Sequence, residues 1–92
     1  MVSRTVVVPN TLGLHARAAA RFVHTASGFS AQIRVGKGNR TMDGKSIMGV
    51  LLLAAGCGAS ITISADGPDE ADALGALVRL VESGFGELPC SA

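Results

Sequence analysis

The sequence has no tryptophan and no tyrosine, and aromatic residues make up only 3% of the chain. Its core therefore has to be assembled from Val, Leu, Ile and Ala. The missing rings also remove the stacking platforms on which single-stranded nucleic acids are bound. The chain also lacks an excess of charge of one sign, because its formal net charge is only +1. Nucleic-acid-binding domains are usually strongly basic. We expect no nucleic acid among the partners.

Long hydrophobic runs are missing too. The longest, residues 47–59, is interrupted by glycines and falls short of the roughly 20 apolar residues that a membrane-spanning helix needs. The N-terminal segment MVSRTVVVPN has too short an apolar core for a signal peptide. A chain of 92 residues suits one domain, residues 1–92, with a single modest core. The sequence predicts a soluble cytoplasmic protein without membrane insertion.

Cysteine is limited to Cys57 and Cys90, which lack the CxxC spacing of zinc sites and thioredoxin-like redox sites. We expect no metal site and no cofactor. In a cytoplasmic setting the two thiols are expected to be reduced. The sequence leaves open a disulfide between Cys57 and the C-terminal tail.

Apolar periodicity predicts seven elements in the order strand, helix, strand, strand, helix, strand, helix. The strands are expected over 3–8, 31–37, 40–44 and 60–65, and the helices over 16–26, 47–56 and 66–86. The predicted buried stripe of the last helix consists of Ala71, Leu74, Leu77, Val78 and Val81. Because the strands have one polar face, we expect an α+β fold whose antiparallel sheet is wet on one side and covered by all three helices on the other.

The segment NTLGLHARAAARFV, residues 10–23, places His15 where the first helix is predicted to begin. Helix starts attract acids, because their unpaired N–H groups and the helix dipole present positive charge. This segment instead supplies Arg17 and Arg21, one turn apart on one face. Such locally unfavourable positive charge is explained if this helix start binds an anion. A dianionic group on the His15 ring would be held by the backbone donors, the dipole and Arg17.

A second interpretation of His15 stays open on spacing alone, because a single histidine at a helix cap is commonly a solvated surface residue. His24 is expected to be such a surface residue. It lies half a turn away from His15 in helical projection and cannot share its site.

Ser46 precedes the second predicted helix and suits its N-cap, a role worth about 1 kcal/mol. A phosphate at a helix start is electrostatically tolerated, so a cap and a modification site are compatible. The run that follows, residues 47–53, cannot all face inward from a short helix, and part of it is expected to be exposed. The alternative is a wholly buried helix. The candidates for a docking surface are Ile47, Met48 and Leu51, with Arg17 and Arg21 as a basic rim.

Two segments together resemble the histidine-containing phosphocarrier (HPr) family, with its nitrogen-branch relative NPr, of the bacterial phosphoenolpyruvate-dependent phosphotransferase system. GLHARAAARFV is similar to the active-site segment of that family, and GKSIMGVLLLAAG is similar to its regulatory-serine segment. The likeness runs from the first strand to FGE. It implies an open-faced β-sandwich of four antiparallel strands and three helices, which agrees with the βαββαβα order predicted from the pattern.

The resemblance implies that His15 accepts a phosphoryl group on Nδ1 from enzyme I and passes it to an enzyme IIA-type domain, in sugar uptake or in nitrogen and carbon regulation. Arg17 would stabilise the phosphorylated state. Ser46 matches a position that a dedicated kinase phosphorylates in some bacteria. The protein would be a monomeric, stoichiometric carrier and not an enzyme.

One departure is Ala18, where the family commonly has a proline that would preset the first helical turn. A phosphocarrier should also lack a water-activating base near its histidine, and no acid precedes Asp43. Two alternatives belong to other classes: a small acylphosphatase-like hydrolase and a passive interaction or RNA-binding module. The first would turn over a phosphoanhydride, and the second is disfavoured by the balanced charge.

Overall fold

The computed structural model describes residues 1–87, which form a four-stranded sheet and three α-helices in the predicted order βαββαβα. The strands are β1 (Val2–Val7), β2 (Gln32–Lys37), β3 (Arg40–Asp43) and β4 (Ser60–Asp66). The helices are α1 (Ala16–Ser27), α2 (Ile47–Leu52) and α3 (Glu70–Glu82), followed by a 3₁₀ helix at Gly84–Gly86. Within the described residues no helix is long and apolar enough to cross a membrane.

The sheet has the strand order β1-β4-β2-β3, and every pairing is antiparallel. In the central strand β4, Ile61, Ile63 and Ala65 are buried, as the alternating pattern predicts. The opposite face is open and polar. There Thr5 and Thr62, which are partners in the β1–β4 register, join their hydroxyl oxygens at 3.0 Å. The predicted α+β fold, with one wet sheet face, is confirmed.

The core lies between the sheet and the helices and is largely aliphatic. Phe22 of α1 and Phe85 of the 3₁₀ helix are the largest of the wholly buried side chains in the described part of the chain. Helix α3 packs against β1 and β4, and α1 packs between α2 and α3. This arrangement leaves the N-terminal end of α1 at the surface, next to the 3₁₀ helix that follows α3.

Helix α2 is shorter than predicted, because it ends at Leu52 instead of continuing to Gly56. Ala54 leaves helical geometry with a left-handed φ of 51°. Carbonyl groups at this end are bonded by the β2–β3 hairpin: Arg40 Nη1 donates to Leu52 at 3.0 Å, and Lys37 Nζ donates to Ala54 at 3.3 Å. Cations at a helix C-terminus are favourable. The helix therefore ends where the hairpin side chains, and not further helical N–H groups, bond its last carbonyl groups.

Helix α3 also differs from its predicted bounds. It begins at Glu70, and Asp66 belongs to β4. With this helical phase Ala73 is buried and Ala71 is exposed, so the predicted burial of Ala71 is wrong. Leu77, Val78 and Val81 are buried and Leu74 is partly buried, as expected.

Asp69, the residue before α3, fastens the connection between α1 and β2. Its carboxylate accepts from the backbone N–H groups of Ser30 and Ala31, each at 2.8 Å. The Ser30 bond, with that of Ala31, outweighs the cost of burial and holds the pKa of Asp69 below its ordinary value.

Cys57 is disulfide-bonded and not a reduced thiol, so the expectation of two free thiols is wrong. Cys57 lies in an exposed turn before β4. In this turn the Gly58 N–H donates to the Val8 carbonyl, just after β1, at 2.8 Å. Cys90 lies outside the described residues. The expectation rested on sequence spacing and cellular compartment, and neither reveals which segments a fold brings together.

Gly13, two residues before the site histidine, is expected to be essential for the loop. Its φ is 64°, and an added Cβ would collide with the Ala55 carbonyl oxygen and lie 2.7 Å from the Gly56 Cα. Gly13→Ala should therefore lower the free energy of unfolding by about 3 kcal/mol. Gly38 is the matched control, since its φ is 61° but nothing lies within 4 Å, and Gly38→Ala should cost about 1 kcal/mol. Urea unfolding measures both, and equal losses would contradict the steric explanation.

Candidate functional site

His15 is the N-cap residue of α1. It has an extended backbone, and its Nδ1 accepts a hydrogen bond from the Arg17 backbone N–H at 3.3 Å. An imidazole thus occupies the place that Ser, Asp or Asn usually fills at a helix start. The first turn of α1 has no acidic residue. Nδ1 therefore meets a backbone donor in a turn that carries no carboxylate of its own.

A carboxylate does reach the other side of the ring. Oε2 of Glu87 lies 2.7 Å from Nε2 of His15, and the two side chains are 16% and 28% exposed. Oε1 of Glu87 accepts from Nδ2 of Asn10 at 2.9 Å. The expectation that His15 has no neighbouring acid is wrong. Sequence spacing could not reveal the contact, because 72 positions separate the two residues.

The 3₁₀ helix places Glu87 at the site. Phe85 is wholly buried with a left-handed φ of 57°, and it turns the chain back towards α1. The Arg21 guanidinium donates to the Phe85 carbonyl, and the Glu87 N–H donates to the Gly84 carbonyl at 2.9 Å. Arg21, which is predicted as part of a docking rim, is exposed. Its bond to Phe85 also holds the segment that carries Glu87.

The Glu87 carboxylate stays charged at neutral pH. Burial opposes its ionisation, but the hydrogen bonds from Asn10 and His15, with the charges of His15 and Arg17, outweigh burial and lower the pKa of Glu87. A carboxyl group with a lowered pKa stabilises the fold above its unfolded pKa, and this contribution disappears as the pH falls through the lowered value. The contact with His15 is therefore in place at neutral pH.

The two ring contacts agree with one neutral tautomer. A carboxylate only accepts, so Nε2 of His15 carries the hydrogen that bonds Glu87. Nδ1 accepts from Arg17 and therefore carries a lone pair. The nitrogen that faces the helix start is the nucleophilic one.

Beside this ring lies an open cavity of about 380 Å³, lined by Thr11, Leu12, Arg17 and Glu87. The Arg17 side chain is exposed, so its guanidinium is accessible to an incoming anion. Among residues 1–87 no group of His, Cys, Asp and Glu side chains could hold a metal ion. The arrangement combines a nucleophilic nitrogen at a helix start with a cation that lines an accessible space.

His24 lies outside this arrangement. It is exposed and lines a separate groove of about 430 Å³ with Arg17 and Arg21. The structure gives it no contact with His15.

Ser46 is the N-cap of α2, and its Oγ accepts from the Gly49 N–H at 3.1 Å. The predicted cap is confirmed. The side chains that follow form an exposed apolar patch, because Ile47 is 45%, Met48 66% and Leu52 51% exposed. Leu51, a predicted docking residue, is instead partly buried against the core. The alternative of a wholly buried helix is wrong.

Comparisons with known proteins agree with this geometry. The family model for the PTS HPr component phosphorylation site matches residues 2–83. The phosphocarrier protein HPr of Cupriavidus necator is 46% identical over 87 residues, which cover 95% of this chain and 98% of that relative. The crystal structure of HPr-C-His from Thermoanaerobacter tengcongensis superposes with a TM-score of 0.92 at 50% identity, covering 95% of this chain and 98% of that one. A crystal structure of an HPr dimer from the same organism gives a TM-score of 0.76 at 50% identity, covering 95% and 100%.

Proposed function

Because the chain belongs to the HPr family of phosphocarrier proteins of the bacterial phosphotransferase system, we propose that His15 is the residue that carries its phosphoryl group. Members of this family carry phosphoryl groups and do not turn over a substrate. The acylphosphatase-like alternative has no support in the comparisons.

One observation supports His15 above all: its Nδ1 caps α1 and accepts a hydrogen bond from the Arg17 backbone N–H in the first turn. In the transfer step the Nδ1 lone pair forms the N–P bond, and the bond from phosphorus to the donor breaks with its electron pair left on the donor. The new phosphoryl oxygens then replace Nδ1 as acceptors for the helix N–H groups. Onward transfer reverses these steps with an acceptor nucleophile.

Arg17 is proposed to stabilise the phosphorylated state. Its guanidinium is exposed beside the cavity, and a planar guanidinium can donate to two phosphate oxygens at once. The first turn of α1 contains no acidic side chain that would bind it instead.

The donor is proposed to be enzyme I and the acceptors enzyme IIA-type domains, which dock on the exposed patch formed by Ile47, Met48 and Leu52. The partly buried Leu51 and the exposed Arg17 and Arg21 are proposed to contribute to this docking surface. Helix α2 packs against α1, so the patch and the site histidine belong to neighbouring helices. We propose a monomer, since partners that exchange a phosphoryl group in turn need this patch uncovered. The cytoplasmic location predicted from the sequence is kept as part of the proposal. Either sugar uptake or nitrogen and carbon regulation is compatible with this site.

Incubation with phosphoenolpyruvate and enzyme I, followed by intact-mass measurement, tests the proposal. The expected product carries one phosphoryl group per chain, is stable in alkali and is lost in acid. Continuous release of phosphate without a labelled chain would contradict a carrier and support a hydrolase.

Ser46 is proposed as a regulatory phosphorylation site for a serine kinase and a matching phosphorylase. Ser46→Asp should raise the apparent KM of enzyme I for the carrier about threefold to tenfold and change the maximal rate less, because charge at a docking surface acts mainly on encounter. The increase should shrink at high salt.

The control for Ser46→Asp is Ser3→Asp, which adds the same charge to the exposed sheet face, where Ser3 pairs with Ser64. Initial phosphorylation rates over a range of carrier concentrations give both parameters. Unchanged kinetics for Ser46→Asp, or an equal effect from Ser3→Asp, would leave Ser46 with its capping role alone.

A further inference from the structure

Building on the proposed role of His15, we propose that Asn10 is a positioning residue: by holding Glu87, it fixes the His15 ring in the tautomer with hydrogen on Nε2 and a lone pair on Nδ1. Asn10 lies between β1 and α1.

The Asn10 side chain is wholly buried and joins two segments that are distant in sequence. Its Nδ2 carries two hydrogens, and it donates both to the Gly13 carbonyl and to Oε1 of Glu87, at 2.9 Å in each case. One bond shapes the loop that leads into His15. The other fixes the carboxylate that bonds the ring.

Glu87 in turn has each oxygen occupied, Oε1 by Asn10 and Oε2 by His15. An amide that donates to one oxygen limits rotation of the carboxylate and aims the other oxygen at Nε2. Glu87 also lines the same cavity as Arg17, a cation that helps to lower the pKa of Glu87 and would attract its carboxylate. The bond to Asn10 therefore keeps Glu87 on the ring and leaves the Arg17 guanidinium available for phosphate.

The chemical consequence follows from the transfer step. When Nδ1 forms its bond to phosphorus and the donor departs with the bonding electrons, the hydrogen stays on Nε2 and the ring becomes positive. The Glu87 carboxylate stabilises that charge, as carboxylates do beside the histidines of other nucleophilic sites. Asn10 supports the reaction only by keeping Glu87 in place.

The first test uses the unmodified protein. Nitrogen-15 NMR of His15, at a pH where the ring is neutral, should show the tautomer with hydrogen on Nε2 as the dominant form. A dominant Nδ1–H tautomer would overturn the proposal, and this measurement requires neither a variant nor any phosphoryl donor. It therefore separates a failure of this proposal from a failure of the phosphocarrier role.

The second test is a swap of donor and acceptor. Asn10→Asp keeps the shape of the side chain but removes the donor, so the two carboxylates repel each other, and the initial phosphorylation rate should fall about tenfold. NMR should then show both tautomers. In the double variant Asn10→Asp with Glu87→Gln, the glutamine amide can donate to the new carboxylate, and the net charge equals that of the parent. The double variant should be phosphorylated at least three times faster than Asn10→Asp.

Asn10→Asp, alone or in the double variant, also loses the bond to Gly13, and urea unfolding of each variant reports how much of the fold is affected. Glu87→Ala keeps the bond from Asn10 to Gly13, should mix the tautomers and should slow phosphorylation about tenfold. Unchanged tautomers in Glu87→Ala, or a double variant no faster than Asn10→Asp, would overturn the positioning role.

Discussion

His15→Ala is expected to abolish the acid-labile phosphoryl adduct completely. The substitution removes the one nitrogen that combines a lone pair with the helix start, and no other described side chain shares this position. The measurement is the intact mass after incubation with phosphoenolpyruvate and enzyme I, before and after acid treatment. Labelling at the parent level would remove His15 from the proposed function.

Two further variants make the interpretation of this loss specific. His15→Asn keeps a good N-cap and removes the nucleophile, so it should be as inactive as His15→Ala while recovering about 1 kcal/mol of stability. His24→Ala removes the exposed histidine of the same helix and should be labelled like the parent. A defect in His24→Ala equal to that of His15→Ala would point to damage of α1 and not to chemistry.

Much of the fold could be predicted because its determinants are local. Ile33 and Val35 alternate with polar neighbours, and both are buried in β2 as that alternation predicts. His15 and Ser46 were both predicted at helix starts, and both side chains accept a backbone N–H there. Where a residue's partners lie within one turn or one strand, pattern and propensity are sufficient.

The predictions that were wrong depend on contacts between residues that are distant in sequence. The end of α2 depends on Lys37 and Arg40 of the hairpin, which bond its last carbonyl groups. The carboxylate at the site comes from Glu87, placed by the buried Phe85 and by a bond from Arg21. No periodicity in the sequence links such residues.

A signal for the missed contact is present in the segment NTLGLH. Asn10 follows an apolar strand and is wholly buried, and a buried amide requires polar partners. Such a requirement can be anticipated for an asparagine at the end of a strand, but the identity of its partner cannot. Half of the site, the helix start with His15 and Arg17, was therefore predictable, and the half contributed by Asn10 and Glu87 was not.

Arg17→Ala is expected to slow phosphotransfer strongly and to leave the fold unchanged. The side chain is exposed and lies in the first turn of α1, where a cation opposes the helix dipole, so its removal costs the fold little. The unfolding free energy should change by less than about 0.5 kcal/mol. The transfer rate should fall roughly 10-fold to 100-fold, because one charge-assisted donor to the moving phosphoryl group is lost.

The sharpest evidence for this role would come from separating charge from geometry. Arg17→Lys keeps the charge but loses the planar pair of donors, so it should fall between the parent and Arg17→Ala in rate. Arg34→Ala is the matched control, because this exposed arginine lies in β2, in register with Ser64 of β4, and should leave the rate unchanged. Stopped-flow transfer rates and thermal unfolding curves on the same samples distinguish the outcomes. A large drop in melting temperature with an unchanged rate would show that Arg17 serves the fold and not the phosphoryl group.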